Sequence, residues 1–376
     1  MICPIVQLTK DLIKKKSITP DDAGCQTLLI NRLKKFNFHI KKLNIDDTHN
    51  FWATHGNNGK TLIFLGHTDV VSPGNIKNWI HNPFESVISD NFIFGRGASD
   101  MKGAIAAMII AAENFVLKYP EHLGKLAFLI TSDEEGSGKN GIKKVIKKII
   151  KNNERLDYCI VGEPTSSEKL GDIIKNGRRG SMSAYLTVYG IQGHVAYPNL
   201  IINPVHQIIP FLNELLLINW DKETTCDVPT QIQITNIKAD YLCENIIPGK
   251  IFIQFNFRFN NEINSIYIKK IVEKLLKKNN LNFSIKWKIF ANPFLTKKGK
   301  LMDVVLKILN LYNGFYPKIE TSGGTSDGRF LAEQGAEVIE LGPINKTIHK
   351  NNECINIKDI QKLSLIYQKI IEQLML

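Results

Sequence analysis

The sequence predicts an α/β protein with a mostly parallel, helix-covered sheet, into which a second, ferredoxin-like domain is inserted. Strand-like apolar runs alternate with helix-like segments in the outer parts of the chain, and this alternation is typical of a parallel sheet with both faces covered. In the middle of the chain the order changes to β-α-β-β-α-β, the arrangement of ferredoxin-like domains. A length of 376 residues also favours two domains over one.

The elements of the parallel domain are predicted from apolar periodicity and from the residues that bound each segment. The first helix is expected to begin at Pro20-Asp21-Asp22, because proline is favoured in the first turn of a helix, and to end near Phe36. The predicted segments are helices 20–36, 104–116 and 141–151 and strands 61–65, 126–130, 158–161 and 337–341.

The inserted domain is predicted over 180–292, between two parts of a catalytic domain at 1–179 and 293–376. Its segment 251–259 alternates strictly, so one face of this strand carries two isoleucines and three phenylalanines. The predicted elements of the insert are strands 181–189, 231–237, 251–259 and 282–289 and helices 204–217 and 265–278.

Composition favours a soluble globular protein. The hydrophobic fraction is 43% and the charged fraction is 22%, which are ordinary values for that class. No apolar run reaches the roughly 18 residues of a membrane-spanning helix, and the first residues lack the pattern of a secretion signal. We therefore expect a cytoplasmic protein with no membrane partner. The six cysteines are scattered without a Cys-x-x-Cys pair, so they are expected to be free thiols.

The formal net charge of +12 raises the question of nucleic-acid binding. Only seven of the 48 basic residues are arginine, and the lysines are spread over the whole chain instead of forming a patch. The densest run, 141–151, places apolar residues on one side of a helix and five lysines on the other. A solvated helix face explains this run, and no nucleic-acid partner is predicted.

Acidic residues and histidines cluster where the predicted strands end. Open parallel sheets bind ligands in the crevice beyond the carboxyl ends of their strands, so these clusters are expected to converge. Carboxylates and neutral imidazoles are the ligands that two divalent cations in a hydrolytic site require. The clusters are Gly66-His67-Thr68-Asp69, Gly95-Arg96-Gly97-Ala98-Ser99-Asp100-Met101-Lys102-Gly103, Ser132-Asp133-Glu134-Glu135-Gly136, Gly162-Glu163-Pro164 and His349.

Each cluster also has an ordinary structural explanation. His67 could be a surface histidine beside a turn, Asp100 a helix N-cap, and Glu134-Glu135 an exposed acidic turn. As functional groups, the Asp69 carboxylate would hold the ring nitrogen of His67 that is not on the metal, and Asp100 would bridge two ions. The side chains of Glu134 and Glu135 diverge because the residues are adjacent, so one is expected to be a ligand and the other a general base.

The number of candidate ligands favours a catalytic dinuclear site. Two histidines and three carboxylates, with Asp100 shared, give each of two ions three protein ligands. Three ligands with an open position mark a catalytic zinc site rather than a structural one. Two Zn²⁺ ions and three carboxylates leave a small positive charge, which favours loss of a proton from water near neutral pH. Co²⁺ or Mn²⁺ would accept the same ligands in place of one Zn²⁺.

The four motifs and His349 resemble those of the M20 metallopeptidase family of co-catalytic zinc aminoacylases and deacetylases, and the resemblance extends over essentially the whole chain. It implies a zinc-peptidase-like catalytic domain in which Glu134 is the general acid/base and Asp69 stands behind His67. The ligands that it implies are His67, Asp100 and Glu163 for one zinc and Asp100, Glu135 and His349 for the other.

Segments 175–181, 321–330 and 341–350 resemble one branch of that family, the succinyl-diaminopimelate desuccinylases. This branch hydrolyses N-succinyl-LL-2,6-diaminopimelate to succinate and LL-2,6-diaminopimelate in bacterial lysine biosynthesis. The substrate carries three carboxylates, which the guanidinium forks of Arg178 and Arg258 would bind, although a surface ion pair would also explain Arg258. The other substrate contacts implied by the resemblance are Ser181, Tyr197, Asn245, Gly324, Thr325 and Asn345.

The resemblance also implies a homodimer formed through the inserted domain, in which His194 of one subunit stabilises the oxyanion in the active site of the other. From the sequence alone, His194 could equally be a loop histidine that caps a turn. An acetylornithine deacetylase or a related M20 aminoacylase is the alternative function. A catalytically silent scaffold is disfavoured, because no metal ligand is missing and Glu134 is present.

Overall fold

The computed structural model describes residues 3–57, 59–221, 228–240 and 243–376. The described helices are α1 (Pro4–Ile13), α2 (Cys25–Lys34), α3 (Gly103–Lys118), α4 (Ile142–Lys151), α5 (Pro204–Leu216), α6 (Ser265–Lys278), α7 (Lys300–Asn313), α8 (Gly328–Ala332) and α9 (Ile357–Met375). The described strands are β1 (His39–Lys42), β2 (Asn50–His55), β3 (Thr61–His67), β4 (Val87–Ser89), β5 (Phe92–Phe94), β6 (Lys125–Thr131), β7 (Tyr158–Val161), β8 (Ile173–Lys175), β9 (Gly177–Arg178), β10 (Gly180–Tyr189), β11 (Gly193–His194), β12 (Gln231–Ala239), β13 (Ile246–Ile247), β14 (Lys250–Phe259), β15 (Asn282–Ala291), β16 (Phe294–Leu295), β17 (Lys318–Glu320), β18 (Glu337–Glu340) and β19 (Cys354–Asn356).

The chain forms two compact units. The first comprises Met1–Gly177, Thr296–Glu320 and Ser326–Leu376, and the second comprises Arg178–Leu295 together with Thr321–Thr325. The domain bounds predicted from the sequence, at 180 and 292, lie two and three residues inside the ends of the longer segment of the second unit. The assignment of 1–179, 180–292 and 293–376 to folding domains stays a prediction.

The first unit contains an eight-stranded sheet in the order β1-β2-β6-β3-β7-β18-β8-β17. Its central strands β6, β3, β7 and β18 run parallel to one another. On either side of them, β2 is antiparallel to both β6 and β1, and β8 is antiparallel to β18. The sheet is therefore mixed but mostly parallel at its centre, as predicted. Helix α3 is apolar on nearly all sides and belongs to the buried core, together with residues of α1, α7 and α9.

The second unit has the predicted ferredoxin-like arrangement. Its sheet has the antiparallel order β12-β14-β10-β15, with α5 and α6 contributing to the same core. The alternating apolar residues of β14 are all buried, from Ile251 to Phe259. Because their neighbours on the strand point the other way, Arg258 remains partly exposed.

With one exception, the predicted helices and strands lie within two residues of their observed ends. The exception is the first helix, which begins at Cys25 and not at Pro20. The helix does not extend back to Pro20, because Ala23 and Gly24 have positive φ angles of 47° and 81°, which an α-helix excludes. The Asp22 carboxylate accepts the main-chain N–H of Gln26, in the first turn of the helix, at 3.0 Å. Helices α1, α7, α8 and α9 were not predicted from the sequence.

Two expectations from the sequence, an exposed lysine face and free cysteines, can be compared with the described residues. The five lysines of the 141–151 run are exposed and the apolar side of α4 is buried, apart from the partly exposed Ile150. Five of the cysteines are free thiols, and Cys226 lies outside the described residues. Within the described part of the chain, none of the helices has the length and apolar character needed to cross a membrane.

Candidate metal centre

The predicted metal ligands lie at the carboxyl edge of four neighbouring parallel strands in the first unit. His67 is the last residue of β3, and Glu134 and Glu135 follow the end of β6. Glu163 follows β7, and the loop after β18 carries His349. Parallel pairing places these strand ends on one edge, which explains why residues so distant in sequence come together.

The fifth ligand, Asp100, reaches this edge because two glycines allow a close approach. Asp100 and Met101 lie in the irregular turn Ala98–Lys102 that precedes α3. A Cβ atom on Gly66 would lie 2.7 Å from Cε of Met101, and one on Gly162 would lie 2.6 Å from the same atom. A larger residue at either position would therefore require the Met101 side chain to move.

Asp100 presents its two carboxylate oxygens to two different imidazoles. Its Oδ1 lies 3.3 Å from Nε2 of His67, and its Oδ2 lies 3.2 Å from Nε2 of His349. Nε2 of His67 is also 3.6 Å from Oε1 of Glu163. On the other side, Nε2 of His349 lies 2.8 Å from Oε1 of Glu135. Asp100 thus stands between a His67–Glu163 group and a His349–Glu135 group.

The geometry of these donors fits two divalent cations. Donor atoms at about 2.0–2.1 Å from a tetrahedral zinc lie roughly 3.3 Å from one another, and three of the four separations above are near that value. Ligand atoms of His67, Asp100 and Glu135 all lie within 4.8 Å of one another, as do those of His67, Glu134 and Glu163. Oxygen and imidazole donors without thiolate suit Zn²⁺, Mn²⁺ and Co²⁺.

Asp69 contacts His67 differently from the predicted arrangement. Nδ1 of His67 lies 2.9 Å from the main-chain carbonyl oxygen of Asp69, whereas the nearest carboxylate oxygen is 3.6 Å away. The carboxylate is directed to the turn after β6, where it accepts the main-chain N–H groups of Glu134 at 3.3 Å and Glu135 at 3.0 Å. The carbonyl therefore orients the ring, and the carboxylate holds the turn.

Three predicted site residues of the second unit form an exposed group around the short pair β11 and β13. Nδ1 of His194 accepts the N–H of Ala196 at 3.1 Å, and its Nε2 lies 3.5 Å from Nδ2 of Asn245. The rings of His194 and Tyr197 are 5.6 Å apart. His194 thus does cap a turn, as one of the two interpretations of the sequence anticipated.

The other predicted substrate contacts lie near the ends of β10 and β14, except for Asn345. Ser181 is buried and pairs directly with Arg258 across these strands. Arg178 is buried and donates from Nη1 to the carbonyl oxygen of Ser322 at 2.9 Å. It thereby contacts the segment Thr321–Thr325, which includes Gly324 and Thr325. Asn345 belongs to the first unit, where its N–H donates to the carbonyl of Ser166.

Comparison with known proteins identifies the family of this chain. The model of peptidase family M20/M25/M40 matches residues 63–373, a range that contains all five candidate ligands. The chain belongs to this family. The M20 fold is also found in solved structures, and the predicted α/β class is thereby confirmed.

Three of these structures illustrate the likeness. The M20 family metallo-carboxypeptidase Sso-CP2 from Sulfolobus solfataricus is 19% identical over 99% of both chains, with a TM-score of 0.77. Aminopeptidase PepT from Bacillus cereus is 19% identical over 98% of both chains, with a TM-score of 0.79. The Bacillus subtilis YXEP protein, described as a dinuclear metal-binding peptidase of the M20 family, is 14% identical over 99% of this chain and 98% of its own, with a TM-score of 0.71. At such identities the likeness establishes the fold alone.

The electrostatics of Glu134 differ from those of two candidate ligands, Asp100 and His349. Burial, with the neighbouring carboxylate of Glu163, raises the pKa of Glu134 well above its ordinary value. Hydrogen bonds to Asp100 and Glu135 raise the pKa of His349 to about 10. Burial opposes the charged form of Asp100, but its hydrogen bonds to His349 and His67 lower its pKa overall. The surroundings of Glu134 thus favour its protonated form.

Two buried carboxylates of the M20 site were not singled out from the sequence. Asp327 is buried, its Oδ2 has no hydrogen-bond partner among the described residues, and burial raises its pKa to about 6. Glu353 is fully buried and contacts the turn that carries Asp100. A glutamate four residues after a ligand histidine is a weak signal, and only its burial distinguishes it from a surface residue.

Proposed function

We propose that this M20 protein is a dinuclear metallo-amidohydrolase with two Zn²⁺ per subunit, one of them replaceable by Co²⁺ or Mn²⁺. The observation that supports this most directly is the position of Asp100, whose two carboxylate oxygens each lie within 3.3 Å of a different imidazole. When bound, such ions would polarise the scissile carbonyl and lower the pKa of water. His67, Asp100 and Glu163 would hold one ion, and Asp100, Glu135 and His349 the other.

In this proposal Glu134 carries the proton. A general base works best when its pKa lies near the working pH, and burial beside Glu163 raises the pKa of Glu134 in that direction. Glu134 would take a proton from the attacking water and return it to the nitrogen of the leaving amine. The Asp69 carboxylate, which accepts the Glu134 and Glu135 amides, would hold the turn in place for this transfer.

We propose N-succinyl-LL-2,6-diaminopimelate as the substrate, with succinate and LL-2,6-diaminopimelate as products, in the diaminopimelate and lysine pathway. A substrate with three carboxylates calls for guanidinium groups, and Arg178 and Arg258 lie near the ends of paired strands in the second unit. Ser181, opposite Arg258, adds a hydroxyl group. The further contacts in this proposal are Tyr197, Asn245, Gly324, Thr325 and Asn345.

The same proposal includes a cytoplasmic homodimer formed through the second unit. His194 of one subunit would stabilise the oxyanion formed in the other. Its exposed imidazole, oriented by the N–H of Ala196, is compatible with that role. A donor directed at a developing oxyanion contributes about 2.7–4 kcal/mol.

A substrate panel tests the proposal. N-succinyl-LL-2,6-diaminopimelate, N-acetylornithine and unmodified di- and tripeptides would be assayed with Zn²⁺, after removal of metal by a chelator, and after Zn²⁺ is restored. We expect the highest kcat/KM for the succinyl substrate and loss of turnover on chelation. A higher kcat/KM for acetylornithine would favour the alternative deacetylase function. A higher kcat/KM for peptides would favour a peptidase, and several structural neighbours are peptidases. Turnover that survives complete metal removal would refute the metal centre itself.

Arg258→Ala tests the proposed contact between Arg258 and a carboxylate of the succinyl substrate. Loss of a charge-assisted contact costs about 1.5–3 kcal/mol, so KM for the succinyl substrate should rise roughly 10- to 100-fold. Arg155→Ala is the control, because Arg155 is exposed and pairs with Asp157. Unchanged KM in Arg258→Ala would remove Arg258 from the substrate site.

A further inference from the structure

A single buried carboxylate binds the turn that carries Asp100. Oε2 of Glu353 accepts Nη1 of Arg96 at 2.8 Å and the main-chain N–H of Gly97 at 2.9 Å. Its Oε1 accepts the main-chain N–H groups of Ser99 at 2.9 Å and Asp100 at 3.1 Å. The Glu353 side chain is 0% exposed. Four donors therefore converge on one carboxylate, and one of them is the amide of the proposed bridging residue itself.

Further contacts join the same two segments. The N–H of Gly95 donates to the carbonyl of Glu353 at 2.8 Å, and Oγ of Ser99 donates to the carbonyl of Cys354 at 2.9 Å. Strand β19 then pairs with β5 in antiparallel register. Arg96 also donates to the carbonyl of Lys350 at 3.1 Å. The loop that follows His349 is therefore bound at several points to the turn that precedes α3.

We propose that Glu353 is a positioning residue for the metal centre, which sets Asp100 against His349. Glu353 lies four residues after His349 in the same loop, and it binds the main chain of Asp100 from that loop. A bridging carboxylate must present one oxygen to each ion, so a small rotation of the Asp100 backbone would misdirect both. The inference rests on the proposed metal centre, and concerns how that centre keeps its geometry.

A purely structural ion pair is the competing explanation, and the protein contains one of the same kind. Arg32 donates from Nε and Nη2 to both oxygens of the Glu113 carboxylate, at 2.8 and 2.6 Å, and the Glu113 side chain is 6% exposed. Both carboxylates are buried and bound by an arginine in the first unit. Of these two carboxylates, Glu353 is the one that accepts a main-chain N–H from a candidate ligand, so Glu113→Gln is a matched control.

The experiment compares Zn²⁺ affinity and the visible absorption of Co²⁺ in three full-length proteins: wild type, Glu353→Gln and Glu113→Gln. Glutamine has one acceptor oxygen, and its NH₂ group would oppose either the Gly97 and Arg96 donors or the two amides of Ser99 and Asp100. We expect Glu353→Gln to bind Zn²⁺ roughly 10- to 100-fold more weakly and to show an altered Co²⁺ spectrum. Glu113→Gln should lower Tm but leave both metal measurements unchanged.

The outcomes separate this inference from the proposed function. Wild-type protein that binds no metal would refute the metal centre. Wild-type and Glu353→Gln proteins that bind two Zn²⁺ with equal affinity would refute only the positioning role, and so would an equal loss of affinity in Glu113→Gln. If Glu353→Gln does not fold, amide hydrogen exchange of the metal-free wild-type protein tests the inference instead. The main-chain amides of Ser99 and Asp100 should exchange as slowly as those in the core of α3. Fast exchange at these two positions would overturn the inference.

Discussion

The carboxylate of Asp69 accepts the main-chain N–H of Glu135 at 3.0 Å. Its other oxygen accepts the N–H of Glu134 at 3.3 Å, and its main-chain carbonyl lies 2.9 Å from Nδ1 of His67. One residue thus orients a candidate ligand at the end of β3 and holds the turn after β6, which bears both the proposed proton carrier and another ligand. Because the two roles use different groups of Asp69, substitution of the side chain removes the contacts with the turn and leaves the carbonyl contact with His67 in place.

Asp69→Asn should lower kcat roughly 10- to 100-fold, within the range found for outer residues of metal sites. The asparagine amide group has only one acceptor oxygen, and its NH₂ would face one of the two main-chain N–H groups. Steady-state kinetics with the best substrate of the panel would measure the effect. Asp172→Asn is the control, since the Asp172 carboxylate also accepts neighbouring main-chain amides, those of Ser167 and Glu168. An equal loss in both variants would argue against a specific role for Asp69.

Glu134→Gln should abolish measurable turnover while two metal ions still bind. Glutamine keeps the size of the side chain but cannot carry the proton, and general acid/base catalysis contributes roughly 10²–10⁴-fold. The measurement pairs kcat with metal content determined by atomic emission. Glu168→Gln serves as the control, because Glu168 is exposed and pairs with Lys346. Retention of most activity in Glu134→Gln would exclude it as the proton carrier.

His349→Ala should reduce the metal content from two ions per chain to one. His349 is one of the two imidazoles that face Asp100, and its side chain is 48% exposed, so its loss removes a ligand without opening a cavity in the core. Isothermal titration with Zn²⁺ would show a stoichiometry near one, with Tm of the metal-free protein little changed. His39→Ala, at an exposed position outside the site, should bind two ions. Two full-affinity ions in His349→Ala would contradict the assignment of this ligand.

The His55–His122 pair predicts a loss of stability in mild acid. Nδ1 of His55 lies 2.9 Å from Nε2 of His122, and their rings pack near Phe38 and Phe115. Burial, together with the neighbouring His122, lowers the pKa of His55 below 6.5, against a smaller opposing effect of Glu121. As pH falls below about 6.5, His55 is therefore protonated to a smaller extent in the folded chain than in the unfolded chain, and this contribution favours unfolding.

Thermal unfolding of the metal-free protein tests this prediction, because a chelator removes any effect of metal release. Wild type should lose more Tm between pH 7.5 and pH 5.5 than His55→Gln. His39→Gln, a substitution of an exposed histidine, should follow wild type. Parallel curves for wild type and His55→Gln would show that the pair does not contribute to the acid sensitivity.

The elements that can be predicted from this sequence are those whose burial produces a local pattern of apolar and polar residues. Apolar periodicity located the strands β3, β6, β7 and β18 and the alternating strand β14 within two residues, because burial of one or both faces imposes the pattern directly on neighbouring residues. Polar groups at the carboxyl ends of parallel strands must share one edge. For that reason His67, Glu135, Glu163 and His349 could be expected in one site before their distances were known.

Other features depend on contacts between segments that are far apart in the chain. Such contacts produce no periodic pattern in the sequence. The segment before the first predicted helix is bound to residues 68–70, where Ile18 pairs with Val70 and Asp22 accepts the hydroxyl of Thr68. Ala23 and Gly24 then have positive φ angles, so the helix starts later than proline placement suggests. Whether the carbonyl or the carboxylate of Asp69 contacts the His67 ring most closely depends on the path of the turn after β6. Glu353 binds Asp100 although 253 positions separate the two residues in the sequence. Such a hydrogen bond of a buried carboxylate forms only when packing brings the two loops together.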